Sequence, residues 1–210
     1  LGAEGNDGTS DYFMTTDGSD IGKTYDGVNG NFFAGQDIDD SGWEGSASPS
    51  QLQWSDIDIT GQTRMQCNGQ FGEVLDDDGY IDNTDSLLVQ YRIDGGDWQN
   101  LIAFRNDGST YNATFLEDTD FDGIGDGTSI TSDNGTMVSF TKSIPETGST
   151  MDLLFTAQVN SGDEDFAIDG FQLSAAVGNA TPTITNIGHT PEFITSSDAV
   201  SVSADVTDSD

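Results

Sequence analysis

The sequence predicts an all-β protein: a two-sheet, jelly-roll-like sandwich followed by a partial Ig-like segment. Three observations carry this prediction. No stretch repeats apolar residues at i, i+3, i+4 and i+7 over the length of a helix. The 26 glycines and the abundance of Asp, Ser and Thr leave helix propensity poor throughout. Short runs rich in Val, Ile, Phe, Tyr and Thr recur instead, separated by clusters of Asp, Gly and Asn.

Taken in order, strands are expected at "DYFMTT", "NFFAGQD", "QLQWSDIDIT", "RMQCNGQF", "SLLVQYRI", "DWQNLIAF", "TMVSFTKSI", "TMDLLFTAQVN" and "EDFAIDGFQLSAA". The clearest is "MDLLFTAQV", where Met151, Leu153, Phe155, Ala157 and Val159 share one face. In "QLQWSDIDI" the apolar phase slips between Trp54 and Ile57, which predicts a β-bulge. "YRIDGGDWQNL" reads as a hairpin, with Asp94-Gly95-Gly96 supplying the positive-φ positions of a tight turn. "EDFAIDGFQL" turns Phe166, Ile168 and Phe171 inward. The resulting domain reading is a sandwich over 1–177, a linker over 178–182 and the opening strands of an Ig-like module over 183–210.

The chain carries 38 acids against five bases, for a net charge of −33. Of the acids 31 are Asp and seven are Glu. A surface that is merely solvated would use either, so the excess of the shorter side chain points to turns and calcium loops. Adaptation to salt is the competing explanation, because screening makes self-repulsion tolerable. With no basic patch to neutralise phosphates, nucleic acid is a poor partner. No run is apolar enough to insert in a membrane. Cys67 is the single cysteine and reads as a buried, inert thiol beside Met65 on one strand face.

The strongest site signal is "DTDFDGIGDGTSIT". Asp118, Asp120, Asp122, Gly123 and Asp126 stand at positions 1, 3, 5, 6 and 9 of a calcium loop, a spacing that turns alternate carboxylates toward one ion. Ser129 stands at position 12 where a helix–loop–helix sensor carries a bidentate Glu, so a structural Ca2+ clamp between strands is expected. Asp37 and Asp39 in "GQDIDDSG" and Asp169 in "AIDGF" complete the candidate metal ligands. Asp76, Asp77, Asp78, Asp82 and Asp85 form a further acidic group with a solvated loop as an equal reading. An unpaired carboxylate on the half-buried strand of "EDFAIDGFQL" implies an ion or a hydrogen-bond network there.

Catalysis has little support. His189, the single histidine, lies in the tail, and neither zinc spacing nor a phosphate-binding glycine loop occurs. A pair of carboxylates at glycosidase spacing would arise by chance among so many acids. The loop aromatics Trp43 and Tyr80 are candidates for a sugar-binding platform, whereas Trp54 and Trp98 read as core or sheet-surface residues.

"DYFMTTDGSDIG", "NFFAGQDIDD", "DIDITGQ", "VQYRIDGGDWQNL", "DTDFDGIGDGTSIT" and "SGDEDFAIDGFQL", taken together, resemble a β-sandwich module of large secreted proteins from marine and Bacteroidetes-type bacteria. The likeness covers most of residues 11 to 173, and the tail resembles the start of an Ig-like repeat. It implies an exported, non-catalytic accessory module. "AIDGFQL" is also similar to the last strand of jelly-roll carbohydrate-binding modules, in which the Asp matching Asp169 helps to hold a structural calcium ion. Family members begin with a Phe-Glu-containing strand that is not seen here, and the loop around Trp43 departs from the pattern.

The functional expectation is a calcium-stabilised, extracellular or cell-surface module with an adhesive or assembly role. A strand-exchanged polymer of neighbouring copies is one form of it, since unpaired sheet edges invite a neighbour's strand. The alternative is a carbohydrate-binding module that carries an attached enzyme to polysaccharide.

Overall fold

The computed structural model describes residues 12–38, 49–75, 81–111, 113–177, 183–190 and 201–207. Asp39, Trp43 and Tyr80 of the sequence reading lie outside the described residues, as do Asp76 to Asp78. The chain divides into two compact units, Leu1–Ala175 and Ala176–Asp210. In the first, the strands are β1 (Tyr12–Thr16), β2 (Phe32–Gln36), β3 (Ser50–Asp58), β4 (Gln62–Val74), β5 (Ser86–Ile93), β6 (Gln99–Arg105), β7 (Leu116–Glu117), β8 (Thr131–Ser132), β9 (Val138–Ile144), β10 (Thr150–Gln158) and β11 (Asp165–Val177). In the second, β12 (Thr183–Thr190) pairs antiparallel with β13 (Ser201–Thr207).

One sheet runs β1-β2-β11-β4, with β9 antiparallel to the first part of β4 and the short β8 parallel to its last residues. The other runs β3-β10-β5-β6-β7. The long pairs nest: β2 with β11, β3 with β10, β4 with β9, β5 with β6. Rolling one long folded ribbon, with its tip at the β5–β6 hairpin, yields that nesting, and it is the strand order of a jelly roll. The expected all-β, two-sheet, jelly-roll-like sandwich is therefore observed.

The nine expected strands are all present, and the interior face of β10 is the expected one. Met151, Leu153, Phe155, Ala157 and Val159 are buried in the main core with Phe71, Phe104, Phe115 and Phe166. The bulge predicted in β3 is there: between Met151 and Leu153 the partner register jumps from Ile57 to Trp54. Asp56 takes φ 57° in the bulge, and its amide donates to Asp152 Oδ1 at 2.8 Å. The predicted hairpin closes with Asp94 at φ 48° and Gly96 N donating to Ile93 O at 2.9 Å.

β2 and the opening residues of β11, 165–168, are buried on both faces, which explains why "FFAG" and "FAI" run apolar without alternation. Phe13, Phe166 and Ile168 point into the sandwich. Tyr12, Tyr25, Phe32, Ala34, Met137 and Ala167 form a second, smaller core on the outer side, roofed by the β1–β2 and β8–β9 connections. Gly170 at φ 62° then re-phases β11. Inward positions shift from 166 and 168 to 171 and 173, bringing Phe171 and Leu173 against the main core.

Candidate functional site

β3 is the edge strand of its sheet, and β1, β2 and β11 of the facing sheet extend beyond it. The sandwich is therefore open along that side, as a cleft of about 590 Å3. Phe13, Phe33, Leu52, Ile168 and Phe171 supply apolar walls, and Thr15, Asn31 and Asp169 also line it. Trp54 hangs at the mouth. Its ring lies nearly parallel to Phe171, centroids 5.8 Å apart and planes 15° apart, yet 39% of the residue stays exposed. Phe13 and Phe33 meet edge to face at 4.7 Å on the opposite wall. Flat, rigid rings that bury apolar area and still face water suit a ligand with both apolar and hydroxyl-bearing faces.

Trp54 is a sheet-surface residue, one of the two expected placements, and it also borders the cleft. Alternation put Leu52 and Trp54 on one face, but only the strand order shows that β3 is an edge strand, so that this face is left partly open to solvent. Asp169 lies in the cleft wall rather than in the acidic loop, and its Oδ1 accepts from Gly170 N at 2.7 Å. Asp37 is buried just past β2 with φ 45°. Trp98 holds the Arg92 guanidinium 4.6 Å above its ring, and Arg92 pairs with Asp152 at 2.7 Å.

The 118–126 loop leaves the sheet between β7 and β8, two short strands that the sequence reading did not anticipate. Asp118, Asp120 and Asp122 bring one carboxylate oxygen each within 4.8 Å of one another. Asp118 is buried and anchors the loop, its oxygens accepting from Asp122 N at 3.1 Å and Gly123 N at 2.9 Å. Asp126 turns elsewhere. The Thr119 hydroxyl and amide donate to it at 2.8 and 3.1 Å and hold its carboxyl below the usual range. Ser129, at the twelfth position, bridges to Leu116, and its hydroxyl donates to Phe115 O at 3.3 Å. The converging set is oxygen only, the donor chemistry of a hard cation.

The buried hydrogen-bond network of β11 is centred on Asp165, not on Asp169, for which the sequence predicts an ion or a network. The fully buried Asp165 carboxylate accepts from Lys23 Nζ at 2.5 Å, from the Tyr25 hydroxyl and from Val74 N at 3.2 Å. Burial raises its pKa against the pull of Lys23. Cys67 is buried as expected, its thiol pushed up to about 11 by desolvation, which leaves it a poor nucleophile.

No protein-family model matches the chain, and neither does any curated protein. Among solved structures it is similar to a "Family 16 Carbohydrate Binding Module-2", at 12% identity over 70% of this chain and 79% of that one, with a TM-score of 0.34. It is also similar to the CBM22-1 xylan-binding domain from Paenibacillus barcinonensis Xyn10C, at 13% identity over 80% and 82% of the two chains, with a TM-score of 0.38. At these scores the jelly-roll assignment rests on the strand order described above.

Proposed function

We propose that the sandwich is a non-catalytic, extracellular carbohydrate-binding module whose site is the cleft between β3 and the β1–β2–β11 wall. The observation that carries this reading is Trp54, stacked on Phe171 and open to solvent at the cleft mouth. A sugar ring presents apolar C–H faces to such rings and hydroxyls to neighbouring polar groups, here Thr15, Asn31 and Asp169. Asp169 is the one acid among the described residues of the cleft, and glycoside hydrolysis uses two. A module that retains a chain without cleaving it fits that lining. With a net charge of −33, neutral polysaccharides are favoured over acidic ones, which the protein's field repels.

The bulge at Asp56 and the exposed carboxylates of Asp56 and Asp58 work against adding a neighbour's strand to the β3 edge, so this reading is preferred over a strand-exchanged assembly. Calcium in the 118–126 loop belongs to the same proposal as a structural clamp, supported by the convergence of Asp118, Asp120 and Asp122. The unit beyond Ala175 is read as the opening of an Ig-like repeat.

The test is retardation of the protein in gels containing neutral or acidic polysaccharides, followed by calorimetry on any that retard it. Trp54→Ala should weaken binding by about tenfold or more, since truncating an aromatic hot spot typically costs about 2 kcal/mol or more. Equal retardation of the variant and the parent, or none across the panel, would sink the proposal.

A further inference from the structure

A second group of carboxylates, away from the cleft and from the 118–126 loop, brings Asp82, Asp85 and Glu164 together. One oxygen from each lies within 4.8 Å of the others. Asp82 and Asp85 precede β5, and Glu164 precedes β11, so the group joins two connections far apart in the chain.

Local hydrogen bonds fix each side chain. Asp82 Oδ1 accepts from Thr84 N and Thr84 Oγ1, both at 2.6 Å. Asp85 Oδ2 accepts from Asp82 N at 2.6 Å, and Glu164 Oε2 from Asn160 N at 2.6 Å. Asn160 Nδ2 donates to Thr84 Oγ1 at 2.7 Å, tying one connection to the other. One atom lacks such a donor. Asp85 is 1% exposed, and its Oδ1 is buried with no N–H or ionised donor, its carboxyl lying against that of Glu164. The charges that bear on Asp85 are those of Glu164 and Asp82, both negative. Lys23, Arg92 and Lys142 are paired with Asp165, Asp152 and Glu117 instead.

We propose that Asp82, Asp85 and Glu164 bind a calcium ion, which clasps the connection before β5 to the connection before β11. Buried carboxylates of like charge cannot all ionise without a counter-charge. Asp85 and Glu164 are both buried, and Asp82 lies beside them. A proton shared between those two would relieve part of the strain but leave the charge of Asp82 beside them. A divalent ion offsets two charges, gives Oδ1 of Asp85 a positive partner and takes Asp82 as a third ligand. An all-oxygen donor set from two loops suits calcium, which accepts irregular geometry at 6 to 8 oxygens, better than magnesium.

The test uses the full chain, stripped with a chelator and dialysed against graded calcium, with bound metal counted. Asp118→Asn combined with Asp120→Asn removes the other acidic loop from the count. In that background one calcium per chain should remain, and adding Glu164→Gln should weaken it by about tenfold or more. Asp85→Asn serves the same purpose should Glu164→Gln fail to fold. No calcium retained by the loop variant, or an affinity unchanged by either substitution, overturns the site. The first of these outcomes leaves a proton shared by Asp85 and Glu164, and neither outcome bears on polysaccharide binding.

Discussion

Glu73 lies on β4 with 1% of its surface exposed, between the two sheets' shared apolar interior and the small β8 strand. Its Oε2 accepts from Phe115 N at 3.1 Å and from the Thr131 hydroxyl. These bonds do not compensate the loss of water, and desolvation drives its carboxyl up to about 8. The unfolded chain releases that proton near the ordinary Glu value, so between the two values the folded state holds a proton that the unfolded state has lost. Stability is then fully present below about pH 4.5 and falls as pH rises toward 8. Glu73→Gln, which keeps the shape of the neutral acid, should remove that slope. Denaturant titrations at pH 5 and pH 8 check it: the variant should match the parent at pH 5 and exceed it at pH 8 by roughly 2 to 4 kcal/mol. Equal pH dependence in both proteins would mean that Glu73 is ionised at little cost.

At the scale of elements, Gly35 in β2 shows how the strands are locked. Its two cross-strand partners are Phe13 on β1 and Phe166 on β11. Both rings lean over the space a side chain would fill, and an added Cβ would stand 2.5 Å from Phe166 Cε1 and 3.3 Å from Phe13 Cδ2. Phe166 is fully buried and has nowhere to retreat. Gly35→Ala should therefore destabilise the sandwich by about 1 to 3 kcal/mol, read as a fall in denaturation midpoint. An alanine accommodated without loss would show that the β1–β2–β11 wall is loosely packed.

The same wall marks the boundary of what the sequence could say. Strands with one wet face, such as β10, announce themselves through alternation, and the β3 bulge and the β5–β6 hairpin through a phase slip and an Asp-Gly-Gly turn. Spacing within one loop was enough to forecast that Asp118, Asp120 and Asp122 converge. It could not forecast the meeting of Asp85 with Glu164, which depends on how distant connections are stacked by the roll. That Trp54 borders a cleft was illegible for a related reason. Whether an inward-facing residue is covered depends on which strand lies at the sheet edge, and no local pattern encodes that.

Over the whole molecule, 38 acids oppose five bases, and three of those bases are held in ion pairs. The remaining negative charge is largely uncompensated, so the folded state repels itself more than the expanded one does. Screening should relieve this as the Debye length falls from about 30 Å at 0.01 M salt to about 3 Å at 1 M. The denaturation midpoint is expected to climb steadily across that range, and equally with sodium and potassium chloride. Calcium should act differently, saturating once its sites are filled. A midpoint indifferent to monovalent salt would locate the reason for the acidic composition in ion binding alone.

The nested ribbon also governs how the chain is made. β11 is the last strand of the sandwich, yet it sits inside its sheet, between β2 and β4. During synthesis, every earlier strand of that sheet emerges with this central slot vacant. β2 and β4 cannot be joined, and the ring of Phe13 has no Phe166 to meet, until the final strand leaves the ribosome. Cooperative closure then waits for the end of the domain, so the nascent sandwich stays unfinished for most of its own translation.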